Sequence, residues 1–220
     1  VNDIITIAIP KGRILEESVS LFSRIGIDCR ELLEDSRKLI FENSEQKMRY
    51  MIVRATDVPT YVEYGCADMG IVGRDTLMEQ ERDLYEPLDL KFGYCRMIVA
   101  EPANLAGNDD PCLWSHIRVA TKYPRVTEKW FASRGIQVEV IKLYGSIELA
   151  PLVGLSERIV DLVSTGETLK QNGLVEVETI SEITARLVVN RASLKIKQKK
   201  ITEIIHDLEN ILQDNQKINR

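Results

Sequence analysis

Apolar and polar positions along the chain switch repeatedly between a period of two and a period near 3.6. The runs IITIAI (4–9), MRYMIVR (48–54) and ADMGIVG (67–73) have the length and apolar content of buried strands. After the first, Ile14, Leu15, Ser18, Val19, Phe22 and Ile25 recur at helical spacing, and Gly26 is a natural stop. After the second, Thr56-Asp57-Val58-Pro59 predicts a helix start, with a capping side chain and a proline in the first turn. The glycines of the third run suit close approach of another backbone. The second half repeats the theme: strand 117–121 (IRVAT), a helix opened by Tyr123-Pro124 and closed at Gly135, strand 137–143, a helical stretch 145–155, and an apolar run 159–163. Strands separated by helix-length segments predict an α/β protein with parallel sheets and right-handed crossovers.

The two longest extended runs, 90–101 and 174–191, suit crossing connections between two α/β lobes, the second returning the chain to the first lobe. The stretch 101–115 (EPANLAGNDDPCLWS) is polar and turn-rich, as expected of a surface excursion. Ile201, Ile204, Ile205, Leu208, Ile211 and Leu212 form an apolar helical stripe. Docking on its own domain and a subunit contact both fit that stripe.

Composition narrows the class. The 220 residues are 44% hydrophobic and 29% charged, ordinary for a soluble globular protein with a sizeable core. The net charge of −5 gives no basic field for nucleic acid. The basic run KIKQKK (195–200) reads as a solvated helix face or a phosphate patch. The N-terminal VNDIITIAIPKGR lacks the features of a signal peptide, and no apolar stretch is long enough to cross a bilayer. Cys29, Cys66, Cys95 and Cys112 form no CxxC pair, so neither a zinc site nor a disulfide framework is expected. A cytoplasmic protein with reduced thiols and no membrane partner is the resulting expectation.

The candidate chemistry centres on DLVSTGETL (161–169). A tight turn that leaves a strand and opens a helix offers several backbone N–H groups to an anion. Gly166 permits the turn, and Ser164, Thr165 and Thr168 add hydroxyls. Glu167 opposes an anion unless its side chain points away, so its contribution is assigned to the backbone. Asp161 upstream and Glu148 before it are suited to accepting hydrogen bonds from ribose hydroxyls. Phosphate plus diol suggests a ribose 5-phosphate group; a plain helix N-cap after a strand is the alternative. At the other end, Pro10-Lys11-Gly12-Arg13 also follows a strand and opens a helix. Lys11 and Arg13, extended by Arg37, Lys38 and Arg54, suit a polyphosphate, because guanidinium groups pair well with phosphate oxygens.

With these segments in view the sequence resembles the ATP phosphoribosyltransferase family in its short form. IAIPKGRILEE, DSRKLIFE, VRATDVPTYVEYGCADMGIVGRD, RVATKYP, IQVEVIKLYGSIELAPLVGL, IVDLVSTGETLKQNGLVE and ITARLVVNRAS carry the resemblance, in order, over nearly the whole chain. Cys66 stands where alanine is expected. The resemblance implies two lobes like type II periplasmic binding proteins, with the active site in the cleft. Lobe I is expected over 1–93 with 180–220, and lobe II over 94–179. It also implies transfer of a phosphoribosyl group from phosphoribosyl pyrophosphate (PRPP) to N1 of the ATP adenine, the first step of histidine biosynthesis. Ser164, Thr165, Gly166, Glu167, Thr168 and Leu169 are expected at the PRPP phosphate, with Glu148 and Asp161 at the ribose. Lys11, Gly12, Arg54 and Asp57 are expected on the nucleotide side, and Arg13 and Arg37 at the departing pyrophosphate. Magnesium is expected to travel with the polyphosphates, with no protein metal ligands.

Long-form members carry a further C-terminal regulatory domain, for which the residues after the apolar stripe leave no room. The resemblance therefore implies a separate regulatory subunit resembling histidyl-tRNA synthetase, and a dimer of catalytic chains within a hetero-octamer. A ligand-binding protein of the same fold is the competing class; it does not explain why STGETL and PKGR occur together. Cys112 and His116, four apart, lack a third orienting group, His206 is expected at a surface edge, and Trp114 and Trp130 read as packing residues.

Overall fold

The computed structural model of the chain describes residues 3–105 and 117–218. Cys112, Trp114 and His116 lie outside the described residues. The chain divides into two units, Val1–Leu77 with Glu81–Gly93 and Thr184–Arg220, and Met78–Gln80 with Tyr94–Ile183. Unit 1 begins with β1 (Ile5–Pro10), α1 (Arg13–Arg24), a 3-10 turn at Arg30–Leu33, β2 (Ile40–Asn43), β3 (Met48–Val53), α2 (Val58–Glu63), β4 (Met69–Gly73), α3 (Arg74–Gln80) and β5 (Tyr85–Asp89). Unit 2 follows with β6 (Cys95–Pro102), β7 (Ile117–Thr121), α4 (Pro124–Ala132), β8 (Val138–Lys142), α5 (Leu149–Leu152), β9 (Arg158–Val163), α6 (Glu167–Gln171) and β10 (Leu174–Ile183). The chain then returns to unit 1 through β11 (Ala185–Val189), α7 (Arg191–Ile196) and α8 (Gln198–Ile218).

The sheet of unit 1 runs β2-β3-β1-β4-β11-β5 and that of unit 2 runs β10-β6-β9-β7-β8. β1 lies parallel to β3 and β4, and β7 lies parallel to β8 and β9. β2, β11, β6 and β10 pair antiparallel, so both sheets are mixed where the alternation predicted parallel ones. The two long extended runs supply most of the difference. β6 and β10 pair antiparallel with each other, β6 also with β9, and β11 with β4 and β5, partners that lie far apart along the chain.

β1 is buried at every position, as a strand covered on both faces must be. β3 alternates buried and half-buried positions. α1 buries Leu15, Val19, Leu21 and Phe22 against this sheet, and Ile201, Ile204, Leu208 and Leu212 of α8 join the same core. The apolar stripe of the last helix is thus docked on its own unit, and His206 faces outward. Gly70 has no room for a side chain: a Cβ would meet Val58 Cγ1 of α2 at 2.7 Å. In unit 2, Glu79 on the last turn of α3 accepts the first amides of α4, from Arg125 at 3.2 Å and Val126 at 3.1 Å. Trp130 is a packing residue, edge-on to Phe131 and covered by the Arg134 guanidinium.

Other details depart from expectation. Asp57 sits at the N-cap of α2 but its side chain makes no capping bond. The stretch 145–155 is helical only over Leu149–Leu152, shortened by Gly145, by Ser146 at φ +50° and by Gly154 at φ +73°. Glu101, read as the start of a surface excursion, is buried at the end of β6. It pairs with Arg158, whose Nε donates to Glu101 Oε2 at 2.8 Å.

One buried carboxylate ties unit 1 together. Asp68 Oδ2 accepts Thr6 N–H at 2.8 Å and Lys197 Nζ at 2.8 Å. Its own N–H donates to Thr6 O, and its carbonyl accepts Asn190 N–H. Lys197 also donates to Ile4 O at 2.7 Å. Asp68→Ala strands a buried amide and a half-buried ammonium at once. A stability loss of about 3 kcal/mol is expected in urea unfolding of the variant.

Candidate active site

The parallel strands of unit 2 end together. In the register of the sheet Thr121 sits beside Val160 on one side and Lys142 on the other. Thr121 Oγ1 donates to Val160 O at 2.8 Å and accepts Tyr123 N–H at 2.9 Å, while Leu143 N–H donates to Thr121 O at 2.9 Å. Lys122, the segment leading to Glu148, and Asp161 therefore leave the sheet at one edge, the carboxyl edge at which α/β sheets bind ligands.

Asp161 is half-buried there, and its Oδ1 accepts Leu162 N–H at 2.8 Å. Burial pushes its pKa up from 3.8 to about 6; the Leu162 amide opposes the rise, the Glu148 charge adds to it, and Lys122 counteracts it. The two carboxylates predicted at the ribose are thus within electrostatic reach of one another. Lys122 joins them as a residue that sequence reasoning passed over, although it stands in the quoted RVATKYP. Its signal is a lone charge directly after the last residue of a buried strand.

The turn after β9 has the backbone expected of an anion cradle. Gly166 is left-handed, at φ 80° and ψ 0°, a conformation costly for residues with a side chain. A Cβ there would meet only Val163 Cγ1, at 3.9 Å, so conformation and not space demands the glycine. Thr165 Oγ1 accepts Glu167 N–H at 3.4 Å, and the Glu167 carboxylate accepts Gln171 Nε2 one turn along. Among the described residues no protein acceptor meets the amides of Gly166 or Thr168. Ser164, Thr165 and Thr168 are exposed, and Leu169 is buried, anchoring the turn through its side chain.

Unit 1 offers a second edge, after β1 and β3. Gly12 adopts φ 90° and ψ −152°, a region open essentially to glycine alone, and its carbonyl accepts the Leu15 amide to start α1. Two cavities of about 300 and about 490 Å³ flank this turn and share Lys11 and Ile52. Gly12 and Lys38 line the smaller; Arg54, Asp57 and the aromatic Tyr61 line the larger. Asp57, free of capping duty, keeps its carboxylate exposed. Arg13 and Arg37 line neither cavity. Arg13 is exposed and pairs with Glu17 at 2.7 Å, and Arg37 is exposed beside the smaller cavity's Ser36 and Lys38.

The family model described as ATP phosphoribosyltransferase matches residues 54–210. A curated protein of that name from Geobacter metallireducens is 81% identical over 208 residues, covering 94% of this chain and 98% of its own. The chain belongs to the ATP phosphoribosyltransferase family. Among solved structures, the ATP phosphoribosyl transferase (HisG:HisZ) complex from Thermotoga maritima aligns with a TM-score of 0.81 at 34% identity, over 96% of this chain and all of the matched one. The periplasmic aliphatic sulphonate binding protein SsuA from Escherichia coli aligns with a TM-score of 0.59 at 11% identity, over 98% of this chain and 75% of its own. That second likeness shows the fold alone: α/β units of the periplasmic binding protein kind, as the sequence led one to expect. The turn over 164–169, Glu148, Asp161, Arg54 and Asp57 fall inside the family match; Lys11, Gly12, Arg13 and Arg37 precede it. No described helix is long and apolar enough to cross a membrane.

The raised pKa of Asp161 has a consequence for stability. A carboxylate with a raised folded pKa favours the fold only while protonated, so ionisation costs stability from about pH 4 upward, in full above pH 6. Asp161→Asn should therefore stabilise the substrate-free chain by about 1–2 kcal/mol at pH 8 and leave it unchanged below pH 4. Thermal melting of both forms at the two pH values checks the sign.

Proposed function

We propose that the chain performs its family's reaction by holding PRPP on unit 2 and ATP on unit 1. The reaction transfers the 5-phosphoribosyl group of PRPP to N1 of the ATP adenine, giving N1-(5-phosphoribosyl)-ATP and pyrophosphate in histidine biosynthesis. The observation that carries the assignment of PRPP is the edge of β9, where a glycine-built anion turn stands three residues beyond a half-buried carboxylate. The turn's amides and hydroxyls take the 5-phosphate, and Asp161 with Glu148 accepts hydrogen bonds from the ribose hydroxyls. In unit 1, Tyr61 and the apolar wall of the larger cavity suit a purine, with Lys11 and Arg54 for its phosphates. Magnesium enters with the substrates, on their polyphosphate oxygens.

The chemistry asks little of the protein in covalent terms. The N1 lone pair forms the new bond to the anomeric carbon, and the bond to pyrophosphate breaks with its electron pair leaving on the pyrophosphate oxygen. N1 carries no proton, so no general base is needed. Positioning and positive charge supply the catalysis, and Arg13 and Arg37 are assigned to the departing pyrophosphate. A separate regulatory subunit resembling histidyl-tRNA synthetase, joined to catalytic dimers in a hetero-octamer, completes the proposal. Its support is the likeness to a chain of the two-component Thermotoga maritima complex.

An ultraviolet assay with ATP, PRPP and magnesium, with and without such a subunit, tests the activity: new absorbance should require both substrates and release pyrophosphate. Arg37→Ala should lower kcat by at least about tenfold with a smaller change in KM, as for a group acting mainly in the transition state. Gly166→Val should raise the Kd for PRPP by about tenfold or more, the left-handed turn being closed to valine. Unchanged PRPP affinity in a variant with native circular dichroism would sink the phosphate-turn assignment.

A further inference from the structure

Lys122 carries a charge for which the reaction, as assigned above, has no use. Its peptide is fixed on both sides, since Thr121 Oγ1 binds both Val160 O and Tyr123 N–H. Its exposed ammonium lies 5.8 Å from the centroid of the buried Tyr123 ring. Among the described residues no carboxylate forms an ion pair with Lys122, whose charge meets the face of the Tyr123 ring instead.

The neighbour that feels this charge is Asp161. On one side of that carboxylate β6 presents Ile98, which is apolar. Its own strand supplies the Leu162 amide, the segment after β8 supplies Glu148, and the edge of β7 supplies Lys122. Burial and Glu148 both favour a proton on Asp161, whereas the ionised carboxylate is the stronger acceptor, able to receive two ribose hydroxyls at once. Among the described residues, Lys122 is the side-chain cation acting against them.

We propose that Lys122 is a positioning residue of the ribose site, its ammonium at the carboxyl edge of β7 keeping Asp161 in the ionised form that accepts the ribose hydroxyls. The proposal rests on the reading of Asp161 as a ribose acceptor, and the experiment separates the two. Lys122→Met and Lys122→Arg are made in the full chain, where an exposed side chain leaves the fold unchanged. The Asp161 carboxyl is titrated by carbon NMR without substrate, and kcat/KM for PRPP is measured over the same pH range at saturating magnesium and ATP.

In Lys122→Met the Asp161 midpoint should rise by about half a pH unit or more, and the acid limb of kcat/KM for PRPP should rise with it. The ratio of kcat/KM at pH 8 to that at pH 6 should widen by about twofold, since a half-unit rise from a midpoint near 6 takes the ionised fraction at pH 6 from about a half to about a quarter. Lys122→Arg should restore both. An unmoved midpoint overturns the role of Lys122, even if activity falls equally at every pH, as for a cation that merely attracts pyrophosphate. A midpoint that rises while the acid limb stays in place overturns the ribose role of Asp161, and this proposal with it.

Discussion

The fold of unit 1 depends on the buried carboxylate of Asp68. It stands just before β4, beside β1, and it receives Lys197 from 129 residues further along the chain. The first strand and the returning C-terminal helices are thereby joined through one side chain. Asn190 reinforces the joint from the same returning segment: its side chain caps α7 by accepting Ser193 N–H, and donates to Val62 O and Glu63 O at the end of α2. A buried charge is costly unless it is well compensated, and here Oδ2 has both a backbone donor and a cation. Such a joint fixes which strands are neighbours more firmly than apolar contacts can, because a shifted register would leave the charge unmatched.

The same balance is struck differently at the edge of unit 2. Asp161 has one amide donor and sits near a like charge, so its ionised form is poorly compensated in the substrate-free chain. The two glycines at strand-to-helix turns make a related contrast. Gly166 holds a left-handed turn and Gly12 a region open essentially to glycine, and neither lacks space for a Cβ. In both, the backbone is bent sharply so that a strand end and a helix start converge. That is an expense in folding free energy with no packing return, and it is the pattern of positions shaped by a ligand.

The continuous apolar runs of β1 and β4 were legible because a strand covered on both faces has no polar alternation to confuse it. The helical spacing from Ile14 to Ile25 was legible for the opposite reason, since one face of α1 meets solvent. The direction of β6, β10 and β11 was not legible: an extended run has the same composition in either orientation, and the partner that decides lies far along the chain. β2 and β5 are short, half-exposed edge strands whose composition resembles that of loops. The turn proposed for the phosphate stood out through hydroxyls and a glycine after an apolar run, a purely local signal. Lys122 escaped because its meaning comes from Asp161, 39 positions later, through a register no local pattern contains. Glu101 was misread for the same reason, its partner Arg158 being 57 positions away.

The position of β11 between β4 and β5 has a consequence for the order of synthesis. On the ribosome the first five strands emerge early, but β5 then has no strand to pair with and β4 is left as an open edge. Every residue of unit 2 is translated before β11 is, so the nested unit can complete its sheet while its host is still waiting. Until residues 185–189 arrive, the growing polypeptide carries an unfinished sheet with an exposed apolar margin, the kind of surface that chaperones bind and that aggregates when they are scarce. A chain released after residue 184 would therefore be a finished inner unit tethered to a sticky, half-built outer one.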